Sequence, residues 1–227
     1  MRAPIPESSV RTPRDLAPYL DHTLLAPGTT AEDVARLCAE ARAHGFAAVC
    51  LYAPAVPDAR RHLAGSAVKV AAVVDFPKGE GTMAARVSEA VEAVRLGADE
   101  LDLVAPLPEL VGGRWAAALD DLAAVIRAVP VPVKVILETA RLTRDAKAAA
   151  AAIARCAGAA YVKTSTGFGG GGATVEDVAL LRAVVGAGVG VKASGGVRTA
   201  ADARAMVRAG ASRIGSSACV AMVTGGF

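Results

Sequence analysis

Two lysines lie inside short apolar segments of the 227-residue chain, Lys163 in YVKTSTGF and Lys192 in VKASGGVRT. A buried lysine is expensive, because its charge must leave water. Burial and a neighbouring cation both lower the pKa of an amine, and a neutral amine can attack a carbonyl carbon to form a Schiff base. The imine then draws electrons, so that a carbon–carbon bond one position further can break or form. Spacing alone does not select the nucleophile from the two lysines.

An acidic residue that could move protons lies in a third apolar segment, ELDLV. Successive side chains of a strand point to opposite faces, so Asp102 shares one face with Glu100, and the intervening leucines take the other. The same alternation places both lysines opposite their flanking valines. A single lysine on this face could extend its charged group to water. Polar residues at matching positions on several strands weaken that explanation considerably. Asp102 is therefore the candidate acid, base or water-orienting group.

Other polar residues could support this chemistry from the same segments and the loops that follow them. Glu138 could complete a proton relay with the second lysine. The candidate supporting residues are Cys50, Lys134, Glu138 and Thr166.

Eight copies of a strand, loop and helix unit would position these residues. Most helices end at a glycine that suits a helix C-terminus, and a short strand of Val, Ala or Leu follows. Eight units predict an α/β fold, a single-domain (β/α)8 TIM barrel over residues 15–227, after a flexible tail over residues 1–14. A doubly wound open sheet is the alternative. The predicted strands are residues 19–25, 46–52, 68–76, 100–104, 132–138, 160–164, 189–193 and 213–215, with seven helices between them and little chain left for an eighth.

Glycine-rich loops follow the last three predicted strands: STGFGGGGAT from Ser165, SGGVRT from Ser194 and GSSA from Gly215. In TIM barrels such loops frequently bind phosphate through backbone N–H groups, although turn geometry explains any single glycine equally well. Residues 167–172 also match the dinucleotide pattern G-x-G-x-x-G. That match is weak inside a glycine run, and Lys192 stands where a ribose-binding acid is expected.

Composition argues against several other classes of protein. The net charge is +3 and the basic residues form no stripe, so no nucleic-acid partner is expected. Four scattered cysteines and three histidines give no metal spacing, so we expect no metal and no cofactor. The first residues lack the apolar core of a signal peptide, and no apolar run is long enough to cross a membrane. The sequence therefore predicts a cytoplasmic protein without a membrane partner.

Seven motifs, taken together, resemble the deoxyribose-phosphate aldolase family in order and spacing. They are DHTLL, GFAAVC, GADELDLV, KVILET, YVKTSTGF, VKASGGVRT and RIG followed by SS. In that family the lysine of K-T-S-T-G forms the Schiff base, the lysine of V-K-A-S-G-G perturbs it, and the second acid of A-D-E-x-D relays protons. The resemblance assigns these roles to Lys163, Lys192 and Asp102, respectively. The phosphate contacts that it implies are Gly167, Gly195, Gly196 and Ser217.

The resemblance also implies a reaction, the reversible cleavage of 2-deoxy-D-ribose 5-phosphate to D-glyceraldehyde 3-phosphate and acetaldehyde by a metal-independent class I aldolase. The expected partners are small sugar phosphates and aldehydes, and a second expectation at the family level is a homodimer or homotetramer. The alternatives are an aldolase of the same family with a shifted substrate preference, a sugar-phosphate-binding pseudoenzyme, and a cofactor-free isomerase.

The chain departs from the family pattern in four places. After the third strand it reads DFPKG, with Asp75 and Lys78, where G-F-P-L-G is usual, and after the fourth it reads APLPEL where I-N-x-G is usual. Ala218 replaces the second serine of the last loop, and Phe227 stands at the end, where some members have a tyrosine. These changes leave the Schiff-base residues intact and bear on substrate preference and turnover.

Overall fold

A closed barrel of eight parallel strands forms the centre of the molecule. The structure is a computed structural model that describes residues 3–226. Each strand pairs with the next, and β8 pairs back onto β1, which confirms the predicted single-domain TIM barrel and makes the open-sheet alternative wrong. The strands are β1 Leu20–Thr23, β2 Ala48–Tyr52, β3 Lys69–Val74, β4 Glu100–Val104, β5 Val133–Ile136, β6 Tyr161–Lys163, β7 Gly190–Ser194 and β8 Arg213–Ser216.

Helices follow every strand and surround the barrel. Five of them begin after a threonine whose side chain accepts a hydrogen bond from the helix's first turn, which satisfies a backbone N–H group that lacks a helical partner. A helix also follows β8, in the short stretch that we expected to hold none. The helices are α1 Ala31–His44, α2 Val56–His62, α3 Met83–Arg95, α4 Leu107–Val111, α5 Trp115–Arg127, α6 Arg144–Cys156, α7 Val175–Val185, α8 Ala200–Arg208 and α9 Cys219–Thr224.

The hydrophobic core lies between the barrel and its helices, as the alternation in the strands predicts. Leu101, Val135 and Val191 point outward into this layer and are fully buried. A second, smaller apolar cluster lies apart from it, with Cys50 and Val73 among its members. Because the outward positions carry the apolar side chains, the alternate positions of β4 to β8 are free to carry charge inside the barrel.

The amino-terminal segment packs against the barrel from residue 3 onward, and the flexibility expected for residues 1–14 stays a prediction. Ile5 and Val10 are buried in the main core, and the Ile5 N–H donates to the carbonyl of Ala211 at 3.1 Å. Arg208 Nε forms an ion pair with Glu7 Oε1 at 2.7 Å. The polar and proline-bearing composition of this segment gave no indication that these two apolar side chains are buried. Residues 1–2 of the predicted tail lie outside the described part of the chain, as does Phe227.

No helix within residues 3–226 is long and apolar enough to cross a membrane.

Candidate active site

The register of neighbouring strands brings the predicted site residues together inside the barrel. Lys163 on β6 lies directly beside Lys192 on β7, and Asp102 on β4 lies directly beside Lys134 on β5. Since neighbouring strands are roughly 4.8 Å apart, side chains of the same face at the same level must interact. The alternation of side chains along the strands therefore identified four residues that belong to one cluster.

Asp102 is the centre of this cluster and contacts all three lysines. Its Oδ2 accepts hydrogen bonds from Lys163 Nζ at 2.7 Å and from Lys192 Nζ at 2.8 Å, while its Oδ1 accepts from Lys134 Nζ at 2.8 Å. Cys50 contacts the same carboxylate, with its Sγ 3.9 Å from Oδ2. Asp102, Lys134 and Lys192 are fully buried, and Lys163 is only 3% exposed.

Three further charged residues, to which we assigned no role from sequence, complete the cluster. Asp21 on β1 forms ion pairs with Lys192 and, at 2.7 Å, with Arg213 on β8. Glu100 forms an ion pair with Lys134, with 2.7 Å between Glu100 Oε2 and Lys134 Nζ. Asp21 opens the motif DHTLL and Arg213 opens RIG, so both stood in the family motifs. Their contact could not be read from the sequence, because only the closure of β8 onto β1 brings the two residues together.

Burial and ion pairing move the pKa values of the cluster in opposite directions. Burial favours the neutral acid, yet the charges of Lys134, Lys163 and Lys192 hold the pKa of Asp102 well below its usual range. Burial likewise disfavours the ammonium form of Lys192, but Asp102 and Asp21 outweigh it and raise that pKa. Asp102 therefore stays ionised and Lys192 stays protonated.

Lys163 is the exception among the lysines. Burial is the largest effect on its pKa, the charge of Lys192 acts in the same direction, and Asp102 alone among the described carboxylates pairs with it, so its pKa is lowered. Lys134, in contrast, pairs with Asp102, Glu100 and Asp21, and its pKa is raised well above the usual range. The number of carboxylate partners thus distinguishes Lys163 from its neighbours, which spacing could not do.

The thiol of Cys50 is held in its protonated form. Burial is the main cause, the negative charge of Asp102 adds to it, and the pKa rises to about 11. Cys50 can therefore act at neutral pH as a weak donor to Asp102 and as part of the apolar wall beside it.

A cavity of about 410 Å³ opens above Lys163 at the carboxyl ends of the strands. Lys163 lies at its wall, whereas Asp102 and Lys192 lie behind that wall, within the barrel. The four residues that the resemblance identifies as phosphate contacts also line this cavity. They are Gly167, Gly195, Gly196 and Ser217. One cavity therefore offers a reactive amine at one side and glycine-rich loops at the other.

Glu138 lies outside the cluster and contacts the loop after β6, so its part in the proton relay stays a prediction. The strand β5 ends at Ile136, and Glu138 takes a left-handed backbone conformation with φ +52°. Its Oε2 accepts hydrogen bonds from the backbone N–H of Thr166, at 3.1 Å, and from the Thr166 hydroxyl. Glu138 and Thr166, two of the candidate supporting residues, therefore hold the loop after β6 in place.

Within residues 3–226 there is no group of three or more His, Cys, Asp or Glu side chains placed to hold a metal ion.

Comparison with known proteins agrees with this geometry. A model of the DeoC/LacD family aldolases matches residues 16–225, nearly the whole chain. The chain belongs to this aldolase family. It is 50% identical over 212 residues to the deoxyribose-phosphate aldolase of Deinococcus radiodurans, which covers 93% of this chain and 96% of that protein. It is 49% identical over 213 residues to the deoxyribose-phosphate aldolase of Caldanaerobacter subterraneus subsp. tengcongensis, with 92% of each chain covered.

A solved structure supports the same family assignment. The fold of this aldolase matches that of the tetrameric deoxyribose phosphate aldolase from Aeropyrum pernix with a TM-score of 0.88 and 33% sequence identity. The match covers 96% of this chain and 93% of that one.

The departures of this aldolase from its family pattern have local physical explanations. Asp75, at a usual glycine position, has φ +51°, and its carboxylate accepts from Arg86 Nη1 at 3.0 Å and from the Gly81 N–H. The segment APLPEL forms the start of the short helix α4, whose Leu107 and Leu110 are buried. The N–H of Ala218 donates to Ser216 Oγ at 3.0 Å. These three changes are thus accommodated outside the lysine cluster, and the fourth, Phe227, lies outside the described residues.

Proposed function

We propose that this aldolase reversibly cleaves 2-deoxy-D-ribose 5-phosphate to D-glyceraldehyde 3-phosphate and acetaldehyde through a Schiff base on Lys163. The observation that carries the proposal is the position of Lys163, whose pKa is lowered and whose side chain lines the cavity that the glycine-rich loops enclose. Lys192 has a raised pKa and does not line the cavity. The names of the relatives supply the substrate.

Each residue of the cluster would have a distinct task in this reaction. Neutral Lys163 attacks the aldehyde carbon of the substrate, and loss of water gives a protonated imine. Protonated Lys192 can donate to the departing hydroxyl, while Asp102, in contact with both lysines, accepts and returns protons between them. Lys134 would hold the other oxygen of Asp102 and thereby fix the orientation of the carboxylate.

Bond cleavage follows from the imine without an added electron acceptor. Lys192, neutral after it has protonated the departing hydroxyl, takes up through Asp102 the proton of the hydroxyl on the third carbon. That carbon becomes the aldehyde of glyceraldehyde 3-phosphate, and its bond to the second carbon breaks. The electron pair moves to the imine nitrogen and leaves a neutral enamine on Lys163. Protonation of the second carbon and addition of water then release acetaldehyde and restore the amine.

The phosphate end of the substrate would lie against the loops after β6, β7 and β8. We propose that Gly167, Gly195, Gly196 and Ser217 contact it, because all four line the cavity together with Lys163. Gly195 and Gly196 have φ of +83° and +75°, so their backbone conformation suits glycine and disfavours other residues. Backbone N–H groups in such turns are suited to anions.

Trapping of the imine tests the proposed function. Incubation with acetaldehyde and borohydride is expected to add a reduced two-carbon adduct to Lys163, located by peptide mass spectrometry, and deoxyribose 5-phosphate should give the same adduct. A Lys163→Ala variant should take up no adduct at this site. An adduct on Lys192 instead, or equal labelling of the Lys163→Ala variant, would contradict the assignment. Ligand binding without an adduct or cleavage would indicate a pseudoenzyme, and a product that keeps all the carbons of the substrate would indicate an isomerase.

We also propose that this aldolase forms a homodimer or homotetramer and acts in the cytoplasm. A tetrameric structure is described for the relative from Aeropyrum pernix. On this chain, large apolar side chains are exposed on α3 and on the adjoining α4 and α5, among them Met83, Val91, Val111 and Trp115. The four cysteines are unpaired, as suits a reducing compartment. Light scattering after size-exclusion chromatography measures the assembly, and a monomer at micromolar concentration would contradict it.

A further inference from the structure

The loop of residues 166–172 lies directly on the segment that follows β5. Thr166 binds the carboxylate of Glu138 at the start of the loop, and the N–H of Ala173 donates to the carbonyl of Gly195 at 2.9 Å just beyond its end. Between these anchors the loop lines the cavity with Thr166, Gly167 and Phe168. The loop is therefore fastened on both sides of the part that meets the substrate.

Three glycines of this loop are required by close packing. A Cβ on Gly169 would lie 2.7 Å from the carboxyl carbon of Glu138, and a Cβ on Gly171 would overlap Ala140. A Cβ on Gly172 would overlap the backbone of Gly195. The run that resembles a dinucleotide motif thus allows the loop to approach Glu138, Ala140 and Gly195 closely.

Glu138 holds the loop through an unusual arrangement. It is buried, with 1% of its surface exposed, and it is one of two non-glycine residues with positive φ within residues 3–226. Its Oε2 takes both hydrogen bonds from Thr166, while its Oε1 has no hydrogen-bond partner among the described residues. The Thr166 hydroxyl in turn accepts from the Phe168 N–H at 3.0 Å. Gly167 therefore lies between two residues that this carboxylate holds, directly or through Thr166.

We propose that Glu138 is a positioning residue for phosphate recognition. Its carboxylate holds Thr166 and Phe168, and thereby fixes the backbone of Gly167 in the conformation that meets the phosphate of the substrate. Both of its side-chain hydrogen bonds go to Thr166 in the loop, and neither goes to the lysine cluster. The N–H groups of Thr166 and Phe168 are used within this arrangement, which leaves the N–H of Gly167 between them to bind the phosphate. This inference rests on the proposed function for the identity of the phosphorylated substrate.

A comparison of two substrates tests the role of Glu138. In Glu138→Ala, kcat/KM for 2-deoxyribose 5-phosphate is expected to fall about tenfold or more, mainly through KM, because two hydrogen bonds to a charged group are lost. For 2-deoxyribose, which has no phosphate, kcat/KM should stay within about threefold of the parent. Equal losses for both substrates would overturn the proposal, as would a variant that leaves KM unchanged.

Two further measurements separate this proposal from the proposed function. Calorimetric titration with inorganic phosphate should show binding about tenfold weaker in Glu138→Ala than in the parent, whether or not the protein turns over, and unchanged affinity would overturn the proposal. Trapping of acetaldehyde on Lys163 with borohydride should be as efficient in the variant as in the parent, and its loss in the variant alone would place Glu138 in the catalytic relay. Absence of the adduct in the parent protein would contradict the proposed aldolase reaction, but not the role of Glu138 in phosphate binding.

Variants of the partners provide matched controls. Thr166→Val should reproduce the effect of Glu138→Ala on phosphate binding, while Thr166→Ser, which keeps the hydroxyl, should restore it. Gly169→Ala should weaken phosphate binding, because the new methyl group meets the Glu138 carboxyl group. Gly188→Ala is its control, since a Cβ there meets nothing within 4 Å and the position lies before β7, away from the cavity. Equal effects of the two alanine substitutions would overturn the proposal.

Discussion

At Lys163, burial and the charge of Lys192 act against the attraction of Asp102, and the lowered pKa shows which side prevails. An ordinary lysine with a pKa of about 10.4 is almost entirely protonated at neutral pH. The neutral fraction of Lys163, on which nucleophilic attack depends, is therefore sensitive to any change in the charges around it.

Replacement of Lys192 should move the pH dependence of the reaction. In Lys192→Leu the repulsion is lost while Asp102 still attracts the ammonium group, so the pKa of Lys163 rises. We expect the ascending limb of kcat/KM against pH to shift to higher pH and activity at pH 7 to fall at least tenfold. Lys147→Leu, which removes a lysine that pairs with Asp177 on the outer helices, should leave the profile unchanged. Full activity of Lys192→Leu with the parent profile would show that the two lysines are not coupled.

Much of the cluster was predictable from single residues in the sequence. Alternation along β4, β5, β6 and β7 placed Asp102, Lys134, Lys163 and Lys192 on one face, and the strand register confirms it. The contributions of Asp21 and Arg213 were not predictable in this way, because each depends on how far β1 and β8 are shifted along each other when the barrel closes.

At the scale of single elements, the loop after β3 combines an unfavourable backbone conformation with an ion pair. Asp75 has φ +51° at a position where glycine is usual, a conformation that costs about 1–2 kcal/mol for other residues. Its partner Arg86 is fully buried on α3 and also pairs with Asp121 at 3.0 Å. The ion pair with Asp75 outweighs this backbone cost only if buried Arg86 requires both Asp75 and Asp121 to balance its charge.

Two substitutions at Asp75 separate these effects. Asp75→Gly removes the backbone cost but leaves buried Arg86 with one carboxylate, so we expect the free energy of unfolding to fall by about 2 kcal/mol. Asp75→Asn tolerates the same backbone conformation and removes only the charge, so it should also destabilise the protein. Urea unfolding at neutral pH measures both. A more stable Asp75→Gly variant would mean that Asp121 alone satisfies Arg86.

The glycine run after β6 shows what a local pattern cannot supply. Phosphate binding by the loops was predictable from the glycines and from their place after the last three strands. The close contacts of Gly169 and Gly171 were not, because the residues they approach, Glu138 and Ala140, lie about 30 positions earlier in the chain. Only the placement of β5 beside β6 reveals them.

At the scale of the whole molecule, closure of the barrel and the number of strands were predictable, because eight regular units leave few alternatives. The ends were not. The amino-terminal residues pack beside α8 and the loop before β8, and α9 packs against the 3-10 helix Pro13–Tyr19. The described segments near both ends of the chain therefore pack against the last units of the barrel, although neither carries a strong helical or strand pattern.

Removal of residues 1–11 should destabilise the fold and leave the chemistry intact. The loss of buried Ile5 and Val10 is expected to lower the free energy of unfolding by about 2–5 kcal/mol, measured by chemical denaturation. Glu7→Ala, which removes only the exposed pair with Arg208, should cost about 1 kcal/mol or less. A truncated chain as stable as the parent would support the flexible tail that the composition suggests.

The composition of the charged cluster has a consequence for the course of the reaction. With Lys163 neutral, the carboxylates of Asp21, Glu100 and Asp102 balance Lys134, Lys192 and Arg213, so the barrel interior is electrically neutral. When Lys192 gives its proton to the departing hydroxyl, the positive charge of the imine on Lys163 replaces that of Lys192, and the sum of the charges does not change. Return of a proton to Lys192 as the bond breaks restores its ammonium group while the neutral enamine forms. The cluster therefore carries the reaction without an uncompensated charge, which water could not readily screen inside the barrel.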